Sequence, residues 1–381
     1  MAEKKLTAEE KFELIKRNTE EILTEKDLIT ALEKKEKLKH YIGFEISGKP
    51  HLGHGLVCMS KVKDFVEAGI DCSIFLADWH SWINDKLGGN MEVIQKVGVP
   101  FFREALIAAY KCLKGNPKDL KFVLGSELYH NNDSYWETMI DVSKNITLGR
   151  IERSTTIMGR KEGEAIDFAK LIYPPMQVAD IFNQGINFAH AGNDQRKAQV
   201  IARDVALKLK NPLRNKKGEA MKPMAVHGHL ILGLQKPTVW PISKENLQEA
   251  WSQMKMSKSI PSSAIYMTDN EEEVRKKIKG AFCPEGEIDF NPLIDWAKYL
   301  IFINEKAKLE IKRPEKFGGD KTYTSYEELV KDFKAKKLHP MDLKLAMAEK
   351  LVEILEPARK HFAQPKVKKL KEEMDKLLIT R

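Results

Sequence analysis

Cysteine is scarce in this chain: 4 residues among 381, at Cys58, Cys72, Cys112 and Cys283. No two of them form a C-x-x-C, and no histidines cluster at ligand spacing. That argues against a disulfide framework and a structural zinc site, and it fits a reducing compartment such as the cytosol. Long apolar runs are missing too. None approaches about 18 residues, so no transmembrane helix is expected. The first 26 residues are charged and helix-forming, without an apolar signal core, so secretion is not expected. Internal repeats and low-complexity tracts are absent. An excess of one charge sign is only mild: 64 Lys and Arg against 55 Asp and Glu give +9. That balance allows a nucleic-acid partner without demanding one.

What is present has the make-up of a folded protein, 42% hydrophobic and 31% charged, with length for two or three domains. From residue 41 to about 232, short β-rich runs (41–44, 72–77, 122–125 and 186–190) alternate with helical patterns (55–67, 91–114, 133–150 and 194–209). The alternation predicts an α/β fold, a Rossmann-type doubly wound parallel sheet. Ligands bind such sheets in the crevice outside the C-terminal strand ends. Residues 211–222 form a polar stretch with Pro and Gly, a surface loop. After about residue 263 the pattern becomes mostly helical (271–282, 292–303, 325–334 and 341–355), which predicts a separate helical domain. The lysine-rich tail from Pro365 places Val367, Leu370, Met374 and Leu377 at helical spacing.

Several polar groups fall where the crevice should be. His51-Leu52-Gly53-His54 sits between the first strand and the following helix. Free backbone N–H groups and the helix dipole face outward there, which suits a polyphosphate. Alone, H-x-G-H is equally an ordinary loop. Far downstream, Lys255-Met256-Ser257-Lys258-Ser259 is by itself a solvated basic loop. Paired with the first motif, its cations can hold a leaving pyrophosphate. Asp78 and His80 follow the second strand. Tyr173, Gln177 and Asp180, at i, i+4 and i+7, share one helical face that mixes phenol, amide and carboxylate. That face suits a polar ligand; otherwise it is a helix start with Asp180 paired to a surface cation. Gly192-Asn193-Asp194-Gln195-Arg196-Lys197 joins a strand to a helix. Asp194 there can take two ribose hydroxyls, or serve merely as an N-cap.

Together these segments resemble the signatures of class I aminoacyl-tRNA synthetases. Through nearly the whole chain the resemblance is to tyrosyl-tRNA synthetases of the archaeal and eukaryotic type. It also runs through residues 16–22, 41–54, 76–80, 279–283, 312–320 and 338–344. The resemblance implies a Rossmann catalytic domain over residues 1–264, with a helical insertion at about 98–165 that mediates homodimerisation. A mobile loop at about 250–262 and a helical anticodon-binding domain over 265–381 complete it. It implies ATP with Mg²⁺, L-tyrosine and tRNA(Tyr) as partners, in the cytoplasm.

Residue by residue, Tyr41 and Asp180 resemble the pair that bonds the substrate phenol, with His80 in the same pocket. Tyr173, Gln177 and Gln195 resemble the groups around its amino end. His51, Gly53 and His54 match the ATP motif, and Gly192 and Asp194 the ribose site. Lys255, Met256, Ser257, Lys258 and Ser259 match the mobile loop, and His51, His54, Lys255 and Lys258 carry the catalytic charge. Arg196 and Lys197 match positions near the tRNA acceptor end. Phe317, His339 and Asp342 match anticodon-reading positions, by stacking and by accepting from a base edge. His339-Pro340-Met341-Asp342 is also simply a good helix start.

Two departures stand out: Leu52 replaces the commoner Ile, and the stretch at 234–254 is longer than in compact archaeal relatives. The rival functions are a tryptophanyl-tRNA synthetase, a nucleotidyltransferase and a catalytically silent RNA-binding paralogue. Tyr41 with Asp180 disfavours the first, the Lys255 motif and the helical C-terminal region the second. The four intact cations disfavour the third.

Overall fold

The computed structural model describes residues 6–160, 163–242, 254–256, 260–303 and 306–377. Its centre is a six-stranded sheet of β1 (Thr19–Leu23), β2 (Lys39–Glu45), β3 (Asp71–Ala77), β4 (Lys121–Leu124), β5 (Phe188–Gly192) and β6 (Met224–Gly228). The spatial order is β1-β6-β5-β2-β3-β4. All neighbours run parallel except β1, which pairs antiparallel with β6. β3 is almost wholly apolar and buried, as expected of a parallel strand covered by helices on both faces. From β2 the chain extends first through β3 and β4 on one side, then through β5 and β6 on the other. The C-terminal ends of β2 and β5 therefore flank the topological switch point, where a doubly wound sheet opens its crevice.

The four foreseen strands exist, the last displaced by two residues. Ile186 is drawn into the turn closing the preceding helix, its N–H bonded to the Ile181 carbonyl at 2.8 Å. β1 and β6 were not foreseen. The N-terminal stretch is a helix, Ala8–Lys16, followed by β1. The glutamates of Thr19-Glu20-Glu21-Ile22-Leu23 read as a helix surface, yet here they serve as anchors for cations and histidines across the edge of the sheet. The C-terminal region is likewise not purely helical: β7 (Leu309–Ile311) and β8 (Lys321–Tyr323) form an antiparallel pair.

The helix Val99–Cys112 turns Phe101, Phe102, Ala105, Leu106, Ala108 and Ala109 inward. The long helix Pro340–Phe362 packs against it. The Phe101 and Phe362 rings lie 5.9 Å apart. His361 Nε2 is 2.7 Å from Glu104 Oε2, and Lys111 Nζ 2.9 Å from His361 Nδ1. One continuous apolar core thus joins the sheet to the C-terminal helices, which fixes the two regions through buried surface rather than a linker.

Candidate active site

The first motif is built where β2 gives way to a helix. The backbone enters through a π turn, Gly53–Val57, and continues as the helix Cys58–Glu67. The motif is strapped to the segment just past the second one: Leu52 N–H donates to the Ile265 carbonyl and Met267 N–H to the Pro50 carbonyl, both at 3.0 Å. The His51 and His54 rings are 3.9 Å apart between centroids. Gly53 N–H donates to His51 Nδ1 at 3.1 Å. A Cβ at Gly53 would stand 2.8 Å from His51 Cε1, so this close approach requires glycine.

The second motif arrives on the far side of the same crevice. Lys255 forms an antiparallel bridge with Leu232, and Met256 N–H donates to the Ile231 carbonyl at 2.8 Å. This places Lys255 Nζ 3.6 Å from Asp194 Oδ2. Asp194 follows β5, and a Cβ on Gly192 would meet its Oδ1 at 2.8 Å. Both motifs and the Gly192–Asp194 turn therefore converge on the switch point. Ser257, Lys258 and Ser259 lie outside the described residues.

A third cluster occupies the floor between β2, β3 and the helix Ala169–Asn183. Despite Pro174 and Pro175, residues 173–180 are helical, so Tyr173, Gln177 and Asp180 do share one face. Asp180 is 1% exposed. Its Oδ1 accepts from the hydroxyls of Tyr129 at 3.0 Å and Tyr135 at 3.1 Å. Its Oδ2 is buried without a hydrogen bond, 3.7 Å from His80 Nε2. Burial pushes the Asp180 carboxyl up to about 8, with the two phenols pulling the other way. Burial holds the His80 imidazole down at about 3, so His80 is neutral and the contact is not an ion pair. Tyr41 is buried nearby; burial and the charge of Asp180 raise its phenol well above the ordinary value.

Toward the mouth, the Tyr173 hydroxyl donates to Glu45 at 2.9 Å. Gln177 Nε2 donates to Gln195 Oε1 at 3.3 Å, and Gln195 Nε2 to the Ile157 carbonyl at 2.8 Å. Asp78 instead braces the backbone, accepting from Trp79 and Ser126 N–H groups at 3.0 and 2.9 Å. Sequence reasoning missed Tyr129, Tyr135 and Glu45. The only available signal was the aromatic-rich run 128–136, whose link to Asp180 depends on tertiary packing.

Other candidates are engaged in the architecture. Arg196 grips Glu21 of β1 through two hydrogen bonds, at 2.7 and 2.8 Å. Lys197 Nζ donates to the Arg153 carbonyl at 2.7 Å. In the C-terminal region, Phe317 is 62% exposed. Arg313 fastens its loop, donating to the Gly319 and Lys337 carbonyls at 2.9 Å each and approaching Asp342 at 4.0 Å. Phe317 and Asp342 are thereby held on one side of the domain. His339 caps the helix Pro340–Phe362, its Nδ1 accepting from Met341 N–H at 3.1 Å, as the helix-start alternative required.

A doubly wound sheet with an H-x-G-H helix start and a lysine loop meeting across its switch point defines the catalytic fold of a class I aminoacyl-tRNA synthetase. The chain belongs to the class I tRNA synthetases specific for Trp and Tyr, whose family model matches residues 33–356, and within that family to the tyrosyl-tRNA synthetases. It is 58% identical to the tyrosine–tRNA ligase of Thermococcus kodakarensis, over 93% of this chain and 95% of that protein. It is 45% identical to that of Pyrobaculum calidifontis, over 99% and 100%. The crystal structure of the Pyrococcus horikoshii tyrosyl-tRNA synthetase complexed with L-tyrosine superposes with a TM-score of 0.93 at 53% identity, covering 97% of this chain and all of that one. A tryptophanyl-tRNA synthetase from Aeropyrum pernix, 19% identical with a TM-score of 0.64, shares the fold alone.

Proposed function

We propose that the floor cluster is a tyrosine pocket and that the crevice above it is where ATP is attacked. The chain is a tyrosine–tRNA ligase: it activates L-tyrosine with ATP to tyrosyl-adenylate and transfers the tyrosyl group to the 3′ end of tRNA(Tyr). The observation carrying the pocket assignment is Asp180 Oδ2, a buried carboxylate oxygen without a hydrogen bond, beside the Tyr41 phenol. A substrate hydroxyl satisfies both; phenylalanine leaves them unpaired, which is costly in a buried site. Tyr173, Gln177 and Gln195 receive the amino end, and neutral His80 shapes the wall.

His51, Gly53 and His54 cradle the phosphates, with Gly192 and Asp194 on the ribose. Lys255, Met256, Ser257, Lys258 and Ser259 are assigned to the pyrophosphate. The tyrosine carboxylate attacks the α-phosphorus, the bond to pyrophosphate breaks, and the cations offset the charge that develops there. Mg²⁺ arrives on the phosphates of ATP as part of the substrate. The terminal ribose hydroxyl of tRNA then displaces AMP from the activated carbonyl. No protein nucleophile is required, so catalysis rests on position and electrostatics.

Residues 265–381 are proposed to read the anticodon through Phe317, His339 and Asp342, with Arg196 and Lys197 near the acceptor end. Homodimerisation through the 98–165 region is proposed to use its later part. There Ile140 and Leu148 are 56% and 63% exposed, whereas the helix Val99–Cys112 is spent on the intramolecular core. Among the described residues no helix is long and apolar enough to cross a membrane. The test is ATP–pyrophosphate exchange with tyrosine, tryptophan and phenylalanine in parallel. Exchange with tyrosine alone is expected, and exchange driven by tryptophan would overturn the pocket.

A further inference from the structure

Behind the segment that carries Lys255 lies a charged cluster that none of these roles uses. His229, just past β6, is held between two carboxylates with its side chain 8% exposed. Its Nδ1 is 2.6 Å from Glu20 of β1, and its Nε2 is 2.7 Å from Asp295 in the helix Pro292–Trp296. Its ring stacks on Tyr299 at 3.9 Å and 11°, and the Tyr299 hydroxyl lies 3.4 Å from the same Glu20 oxygen. With a carboxylate at each nitrogen, only the imidazolium can donate to both. Burial opposes that charge, yet the hydrogen bonds to Asp295 and Glu20 push the imidazole up to about 9.

Asp295 has a second task. Its other oxygen accepts from Leu232 N–H at 2.9 Å, while the neighbouring Trp296 donates its indole N–H to the Leu232 carbonyl at 2.7 Å. Leu232 is the residue bridged to Lys255. A continuous path therefore runs from Glu20 through His229 and Asp295 to Leu232, then to Lys255 facing Asp194. Without the imidazolium, Glu20 and Asp295 would face a neutral ring, which can donate to only one of them.

We propose that His229, held as an imidazolium between Glu20 and Asp295, is a positioning residue for adenylate formation: it fixes the Leu232 shelf that sets Lys255 in the ATP crevice. The proposal rests on Lys255 acting on ATP, as assigned above. A merely structural pin between β1 and the C-terminal region would lower stability and affect both substrates alike.

The experiment measures pyrophosphate exchange by the full-length protein and its H229Q, D295N, K255A and H229Q/K255A variants, with ATP and tyrosine varied separately. D295N keeps an acceptor for Leu232 N–H while removing the charge, and it stands in if H229Q does not fold. The expected result is a loss of about tenfold to a hundredfold in kcat/KM for ATP. The KM for tyrosine should stay within about twofold, and the double variant should be no slower than K255A. A second readout is pH. The wild type should lose its advantage over H229Q as the pH rises through about 9; among the described residues Glu20, Asp295 and Tyr299 face the ring, with Lys298 beside Glu20. Equal losses for tyrosine and ATP, or losses that multiply with those of K255A, would overturn the clamp. If K255A exchanges at the wild-type rate, the ATP assignment of Lys255 fails and takes the clamp with it. If K255A is impaired and H229Q and D295N are not, the clamp alone fails.

Discussion

Lys255 Nζ stands 3.6 Å from Asp194 Oδ2, a contact between two motifs that meet only because β5 and the Leu232 shelf border one crevice. Both side chains remain more than a third exposed, so the pair contributes no more than about 1 kcal/mol to stability. It is easily parted by an incoming nucleotide. K255A is therefore expected to slow adenylate formation by about a hundredfold or more, with little change in melting temperature. D194A should mainly raise the KM for ATP. Single-turnover adenylate formation checks both; a K255A variant that loses tyrosine affinity as much as rate would contradict a charge-stabilising role. K258A is expected to follow the same pattern.

Asp180 should govern the choice of amino acid. D180A removes the acceptor that a substrate hydroxyl satisfies, and also strands the Tyr129 and Tyr135 hydroxyls. Discrimination for tyrosine over phenylalanine should fall by about a hundredfold or more. Parallel exchange kinetics with the two amino acids decide the matter, and near-normal selectivity would sink the pocket assignment.

The same carboxyl makes stability depend on pH. Its folded-state pKa of about 8 lies above the ordinary 3.8, so between those values the folded state holds a proton the unfolded state has released. Stability from this group is present at low pH and is lost as pH rises toward 8 and through it. D180N, which never ionises, is expected to gain in melting temperature relative to the wild type from pH 5 to pH 9. Calorimetry across that range checks the sign, and a difference that stays flat with pH would mean the carboxyl ionises freely.

Arg313 offers a way to separate the two regions. It ties the Phe317 loop to the Lys337 carbonyl and Asp342, far along the chain from the catalytic motifs. R313A is expected to reduce tRNA charging by about tenfold or more while tyrosine-dependent exchange stays unchanged. Loss of exchange in step with charging would show that the loop supports the catalytic region instead.

Much of the site was legible because its chemistry sits in short contiguous motifs at strand ends. His51 to His54, Gly192 to Asp194 and the Lys255 run each declare a polar role next to a chain reversal. Tyr173, Gln177 and Asp180 obey helical spacing. Less was legible where a residue's role depends on a distant partner. Arg196 is clasped by Glu21, and nothing in either local sequence announces that bond. β1 escaped notice because an edge strand needs little apolar surface, and its glutamates imitate a helix face. β6 is a five-residue strand that contains a histidine and follows Pro223.

By itself, the sequence determined the alternation of strands and helices, hence a doubly wound sheet, and the motifs that make the family and its reaction recognisable. Periodicity and local backbone chemistry suffice for that, because they act over a few residues. Tertiary structure alone decided which charges meet: Asp180 with Tyr129 and Tyr135, Lys255 with Asp194, His229 with Glu20 and Asp295. Those pairings join segments far apart in the chain, and the Asp180 and His229 clusters depend also on burial, which raises the stakes of a polar contact and is a property of the packed molecule rather than of any segment.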